Sequence, residues 1–288
     1  MELQNKCVNT LRLLSVDMVQ NANSGHPGMA LGCAPIIHIL FSKIMNFNFE
    51  NKWFNRDRFI MSNGHGCALL YSVLHLCGYN INLNDLKNFR KVGSITPGHP
   101  EKNLTDGIEV TTGPLGQGFA NGVGMAIASK HLASRFNTKD FPIINNKIFV
   151  LCGDGCLMEG ITNEAASLAG HLCLNNLVVI YDNNGITIDG STELSFTENT
   201  NQKFMSLGWN VYEIEDGNND LASIEKILNQ SRDSDKPVFV SVKTNIGYGS
   251  DKENSEKSHG APLGKESIKN LKVKFNFDPT KEFYIPDD

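Results

Sequence analysis

Apolar residues recur along this chain with two different spacings. From Leu3 to Gln20 they fall at Leu3, Cys7, Leu11, Leu14 and Met18, the three-and-four spacing of one helix face. Similar stretches predict helices over about Met29–Met45, from after Asn63 to Cys77, Leu83–Phe89, Phe119–Arg135, Glu159–Leu174, Leu221–Ser231 and Lys265–Phe277. Between them lie short apolar runs that read as strands: Arg58–Ser62, Lys147–Cys152, Leu177–Tyr181, Trp209–Ile214 and Val238–Val242. The runs at 147–152 and 177–181 are rich in β-branched residues, as expected of strands buried on both faces. A strand, a helix and a second strand in succession predict parallel pairing with adjacent carboxyl ends. The fold class is therefore α/β: a mostly parallel sheet of about five strands, covered by helices on both faces. One large domain is expected over 1–265. Residues 266–288 would add a carboxy-terminal helix, an extended tail over Asp278–Asp288 and the start of a linker.

Composition narrows the partners. The chain has 288 residues, 40% hydrophobic and 20% charged, ordinary for a globular protein. A formal net charge of −5 gives no reason to expect nucleic acid or an anionic membrane. It also sits awkwardly with phosphorylated ligands, a question that local groups must decide. Seven cysteines without paired CxxC motifs argue for free thiols in a reducing compartment. The amino end carries Glu2, Gln4, Asn5 and Lys6, and Met29–Phe41 is too short to span a bilayer and contains His38. A cytoplasmic location follows as the expectation.

The chemistry concentrates at strand ends. The 147–152 strand breaks into Gly153-Asp154-Gly155, and the 177–181 strand stops at Asp182-Asn183-Asn184-Gly185. Parallel pairing brings Asp154 and Asn184 to one sheet edge, where open α/β sheets bind ligands. A carboxylate and an amide oxygen are hard ligands suited to Mg²⁺ beside phosphate oxygens. Gly155 would allow close backbone approach, and a helix start near Glu159 would add N–H donors for an anion. Histidines stand in rigid or turn-rich settings: His26 in Ser24-Gly25-His26-Pro27-Gly28, His65 in Asn63-Gly64-His65-Gly66, and His99 between Pro97 and Pro100. Local sequence leaves His26 open between a capping or solvent-facing role and a site role. His75 has no motif around it and reads as structural. A Gly-rich stretch, Thr111 to Gly118, precedes a helix, and a charged loop over Ser250–Ser258, expected to be mobile, leads to His259.

Gly-Asp-Gly, a helix and a strand ending in Asn-Asn resemble the thiamine diphosphate motif of thiamin-dependent enzymes. The strings GDGCLMEGITNEAASLAGHL, SGHPG, NGHGCALLYSVLHLCGY, TPGHPE, VTTGPLGQG, KTNIGYGS and HGAPLG are similar to transketolases in particular, and together span Leu3 to Pro286. The resemblance implies a thiamine diphosphate-binding fold, with Asp154, Asn184 and the Ile186 carbonyl on Mg²⁺, for which calcium or another divalent cation could substitute. It places Gly155, Glu159, Asn184, His65 and His259 toward the cofactor diphosphate edge and Gly113, Pro114 and Leu115 along the rest of the cofactor. His26, His99 and His259 would be catalytic, meeting the sugar phosphate during transfer of a two-carbon ketol unit from a ketose phosphate to an aldose phosphate, a reaction of the pentose phosphate pathway. Rival readings are dihydroxyacetone synthase, deoxyxylulose phosphate synthase, a pyruvate dehydrogenase subunit, or a non-catalytic cofactor-binding half. Transketolases are homodimers with a pyrimidine-binding domain, and that domain supplies the activating glutamate. Neither it nor the substrate phosphate-binding arginines is expected within this chain. A truncated chain is expected in preference to one product of a split enzyme.

Overall fold

A computed structural model describes residues 2–49 and 53–288. The helices α1 (Glu2–Ala22) and α2 (Pro27–Ile39) come first, with Pro27 at the start of α2, where its missing N–H costs nothing. A π-helical turn, Leu40–Ile44, extends α2. By length and composition Pro27–Ile44 could cross a membrane, more than the Met29–Phe41 stretch allows, but 89% of it is buried inside this fold. Then come β1 (Arg58–Met61), α3 (Cys67–Leu76), α4 (Leu83–Lys87) and α5 (Gln117–Phe136). The central unit is β2 (Ile148–Gly153), α6 (Asp154–Met158), α7 (Gly160–His171) and β3 (Leu177–Asn183). After it come a small antiparallel hairpin of β4 (Ile186–Thr187) and β5 (Gly190–Ser191), then α8 (Thr200–Ser206), β6 (Asn210–Ile214), α9 (Leu221–Arg232), β7 (Val238–Lys243) and α10 (Lys265–Lys274).

The main sheet is parallel throughout, in the order β1-β2-β3-β7-β6. Alternate residues of each strand feed two cores, as the period of two requires. Phe149, Leu151, Val178 and Ile180 face α1, α2, α3 and α9, in a core with Leu14, Ile37, Leu70 and Leu228. Ile148, Val150, Val179 and Tyr181 face α5, α7 and α8, in a core with Phe119, Ala166 and Phe204. Both faces are thus dry, and polar chemistry is confined to the strand ends.

The helix expected over 159–174 is α7, and an additional short helix, α6, precedes it across Glu159, which is extended (φ −71°, ψ 138°). Five residues are too few for a periodicity, so α6 has no sequence signal of its own. The Ser250–Ser258 loop is folded rather than loose. Glu253 accepts from Asn245 Nδ2 (2.7 Å) and the Gly249 N–H (2.9 Å), Lys252 donates to the Leu263 carbonyl (2.9 Å), and Ser267 donates to Asp251. Three of its charged side chains are engaged in this way, and Glu256 and Lys257 stay exposed. The Asp278–Asp288 tail has no helix or strand, yet Phe283 is buried and its N–H donates to Asp17 (2.7 Å). Likewise α10 shares a core with α1 through Leu13, Val16, Ile268 and Leu271.

Asp17 also pairs with Lys272 at 2.8 Å, and both are buried, at 5% and 4% side-chain exposure. Removing one partner leaves the other charge dry and unpaired. Asp17→Ala should therefore destabilise the protein by about 3–5 kcal/mol. Urea unfolding measures this, and a loss near zero would show that the tail and α10 are not held by this pair.

Candidate active site

The β2–β3 register pairs Gly153 with Asp182, so the next residues of each strand, Asp154 and Asn183-Asn184, leave the sheet side by side. Asp154 is the first residue of α6 and is 4% exposed. Its Oδ1 accepts from the Tyr181 hydroxyl at 2.5 Å, while Oδ2 is buried with no partner. Burial pushes the Asp154 carboxyl up to about 7; the Tyr181 hydroxyl opposes this, and nearby Asp182 adds to it. Asn184 donates from Nδ2 to Asp182 (2.9 Å), and its Oδ1 accepts from the Ile186 N–H (3.0 Å). Asp182, buried beside β7, also accepts from Thr244. The Asn184 amide is therefore oriented by a second carboxylate, a supporting contact typical of metal ligands. A carboxylate with an unmatched oxygen, an amide oxygen and the Ile186 backbone make a hard donor set that fits Mg²⁺ or Ca²⁺. Among the described residues no group of three or more His, Cys, Asp or Glu could hold a metal.

Beside this edge opens a cleft of about 490 Å³. Three imidazoles form a triangle in it, with ring centres 5.0 Å (His26–His65), 5.1 Å (His65–His259) and 5.6 Å (His26–His259) apart. His99 lines the same cleft, packed against Gly113. His26 occupies the N-cap position of α2, but its side chain caps nothing and turns to the cleft. The loops meet closely here: a side chain at Gly28 would strike the Ser258 carbonyl at 2.6 Å, so glycine permits the approach that brings His26 and His259 together. Burial, with help from His259, Arg90 and His99, lowers His26 to about 4. Burial also lowers His65 far below the usual imidazole range, and His99 and His259 below it. All four rings are neutral at pH 7 in the free cleft, and an anion bound there would pull them upward.

The cleft thus gathers His26, His65, His99, His259, Gly113, Leu115, Asp154, Gly155, Asn184 and Ile186. Pro114 and Glu159 are exposed and lie outside its lining. A helix does start beside Glu159, the N-cap residue of α7, while α6, with Asp154 first, stands at the strand end itself. Gly155 lines the cleft, but the place of its missing side chain is filled by Leu115, 2.7 Å from an ideal Cβ. His75 is structural, bonded through Nδ1 to the Ile81 carbonyl (2.6 Å). Two residues escaped the sequence reading. Asn63 is 1% exposed, lines the cleft and has neither amide atom paired; its place two residues before His65 was the available signal. Arg90 approaches His26 from a short turn, and nothing in its local sequence marks it.

This geometry agrees with the comparisons. Residues 3–288 match the family model described as "Transketolase, thiamine diphosphate binding domain". The chain belongs to the transketolase family. It is 52% identical to the transketolase of Aquifex aeolicus over 282 residues, covering 98% of this chain and 41% of that protein. With transketolase 1 of Saccharomyces cerevisiae the identity is 51%, over 100% of this chain and 42% of the relative. The solved transketolase of Leishmania mexicana superposes with a TM-score of 0.97 at 51% identity, covering 99% of this chain and 43% of that one. A Pichia stipitis transketolase in complex with sedoheptulose-7-phosphate gives 0.98 at 50% identity, covering 99% and 42%. This chain therefore spans about two-fifths of the length of the transketolases it matches.

The buried Asp154 carboxylate should cost the metal-free transketolase domain stability. Its folded value near 7 lies above the ordinary carboxyl value of 3.8, so the folded state holds the extra proton between those values. Ionisation subtracts stability as pH rises through that window, and the whole deficit is present above 7. Asp154→Asn should accordingly stabilise metal-free protein at pH 8, on the order of 3 kcal/mol, with the gap closing toward pH 4. Denaturant titrations at both pH values check this; a gap independent of pH would remove the assignment.

Proposed function

We propose that this chain is the diphosphate- and metal-binding part of a thiamine diphosphate- and Mg²⁺-dependent transketolase, moving a two-carbon ketol unit from a ketose phosphate to an aldose phosphate. The observation that carries the reading is one cleft holding both the unmatched Asp154 oxygen beside Asn184 and four neutral imidazoles. Thiamine diphosphate, when bound, supplies the stabilised carbon nucleophile, and Mg²⁺ neutralises its diphosphate.

The residues of this chain do the rest. Asp154, Asn184 and the Ile186 carbonyl would hold the cation. His65, in the turn after β1, and His259 would donate to diphosphate oxygens. His99, fixed between two prolines, would orient a sugar hydroxyl. His26 and His259 stand where a proton on the hydroxyl beside the breaking carbon–carbon bond would be held or moved. The net charge of −5 does not decide the matter, because four imidazoles line the cleft alongside Asp154, Asp182 and Asp189. The further length of the relatives has a place in this reading: it would bring a carboxylate to the cofactor's pyrimidine ring, with two copies of the complete protein associating.

Asp154→Ala and Asn184→Ala should each abolish Mg²⁺-dependent binding of thiamine diphosphate while leaving the fold intact, since both stand just past the strand ends, outside the apolar cores. Calorimetry of the complete enzyme reads this directly, and unchanged affinity would refute the metal site. The chain as it stands should show no turnover with xylulose 5-phosphate and ribose 5-phosphate, and should gain it when the remaining domains are added. Full activity of this chain alone would place the activating carboxylate within it and overturn the division of labour.

A further inference from the structure

Arg90 stands in the left-handed region (φ 60°), where a non-glycine residue is strained and its retention calls for a reason. The turn is closed by its own N–H donating to the Thr96 carbonyl (3.0 Å). From there its guanidinium reaches across to the two loops that carry His26 and His99. Nη1 donates to the Ser24 hydroxyl (2.8 Å), and Nη2 reaches the Gly98 carbonyl and His26 Nδ1, both at 3.4 Å. Nε is buried with no partner. Among the described residues no carboxylate lies within ion-pair distance of Arg90. An unneutralised cation is thus built against the imidazole cluster.

A guanidinium has only donors. Its contact with His26 Nδ1 therefore makes that nitrogen the acceptor, and the proton of the neutral ring must sit on Nε2. We propose that Arg90 is a positioning residue that locks His26 as the neutral Nε2–H tautomer, so that His26 meets the sugar as a hydrogen-bond donor and the proton-accepting role falls to His259. This deepens the transketolase reading and rests on it. The groups bearing on His26 are His259, Arg90, His99 and the neighbouring His65 ring, none of them an acid. The cation keeps a second proton off the ring, and the Ser24 and Gly98 contacts hold its bearing.

The test uses the complete enzyme. Arg90→Gln should lower kcat/KM for the ketose donor about 10- to 100-fold with thiamine diphosphate affinity unchanged, and should move the acid limb of the pH profile upward. Arg90→Lys, which keeps the charge, should leave that limb in place. His26→Gln, which offers an amide N–H near the Nε2 position, should retain far more activity than His26→Ala. In the His26→Gln background, Arg90→Gln should cost less than twofold. Full additivity of the two changes would mean that Arg90 acts on the substrate itself and would overturn the proposal. So would a His26→Gln enzyme as inactive as His26→Ala, which would make His26 the base. Nitrogen-15 spectra of histidine-labelled protein separate this inference from the proposed function, since they need no turnover. His26 should show a protonated Nε2 and an unprotonated Nδ1, and the reverse pattern would overturn the inference even in an active enzyme.

Discussion

Everything at the site depends on a parallel sheet that is dry on both faces. Backbone groups in such a sheet are satisfied by their neighbours, and its side chains are buried in two cores, so only the strand ends can carry charge. The Gly153–Asp182 register then decides which charges meet. A slip of one residue would turn Val150 and Val179 toward the wrong core, which is why the register is strongly held and why Asp154 and Asn184 leave the sheet together.

The same burial sets the electrostatics of both halves of the cleft. At one end it raises Asp154, whose second oxygen has no partner; at the other it lowers four imidazoles around an arginine with no acid. Each half is uncomfortable alone. A cation relieves the first and an anion the second, so a metal-bound diphosphate suits the cleft better than either component by itself. The support lies one layer out: Tyr181 and Asp182 fix the Asp154–Asn184 edge, and Arg90, Ser24 and Gly28 fix the histidine edge. These contacts come from elements far apart in the chain, which ties the geometry of the site to the integrity of the fold.

What the sequence alone determined was whatever depends on local pattern. Strand runs at 58–62, 147–152, 177–181, 209–214 and 238–242 all became strands of one parallel sheet; the central runs are apolar and buried on both faces, while the edge strand β6 is only partly covered. Strand–helix–strand order was enough to bring Asp154 and Asn184 to one edge, and motif strings were enough to pick out His26, His65, His99 and His259. Tertiary structure decided what depends on distant partners. Arg90 and Asn63 gained their meaning only when loops separated by dozens of residues closed on one cleft, and Glu159 and Pro114 turned outward. The charged loop over 250–258 read as mobile, yet Asn245, Leu263 and Ser267 supply partners for Glu253, Lys252 and Asp251, while Glu256 and Lys257 stay exposed. The protonation of each imidazole was likewise invisible in sequence, since it follows from burial and from neighbouring charge, and both are properties of the packed chain.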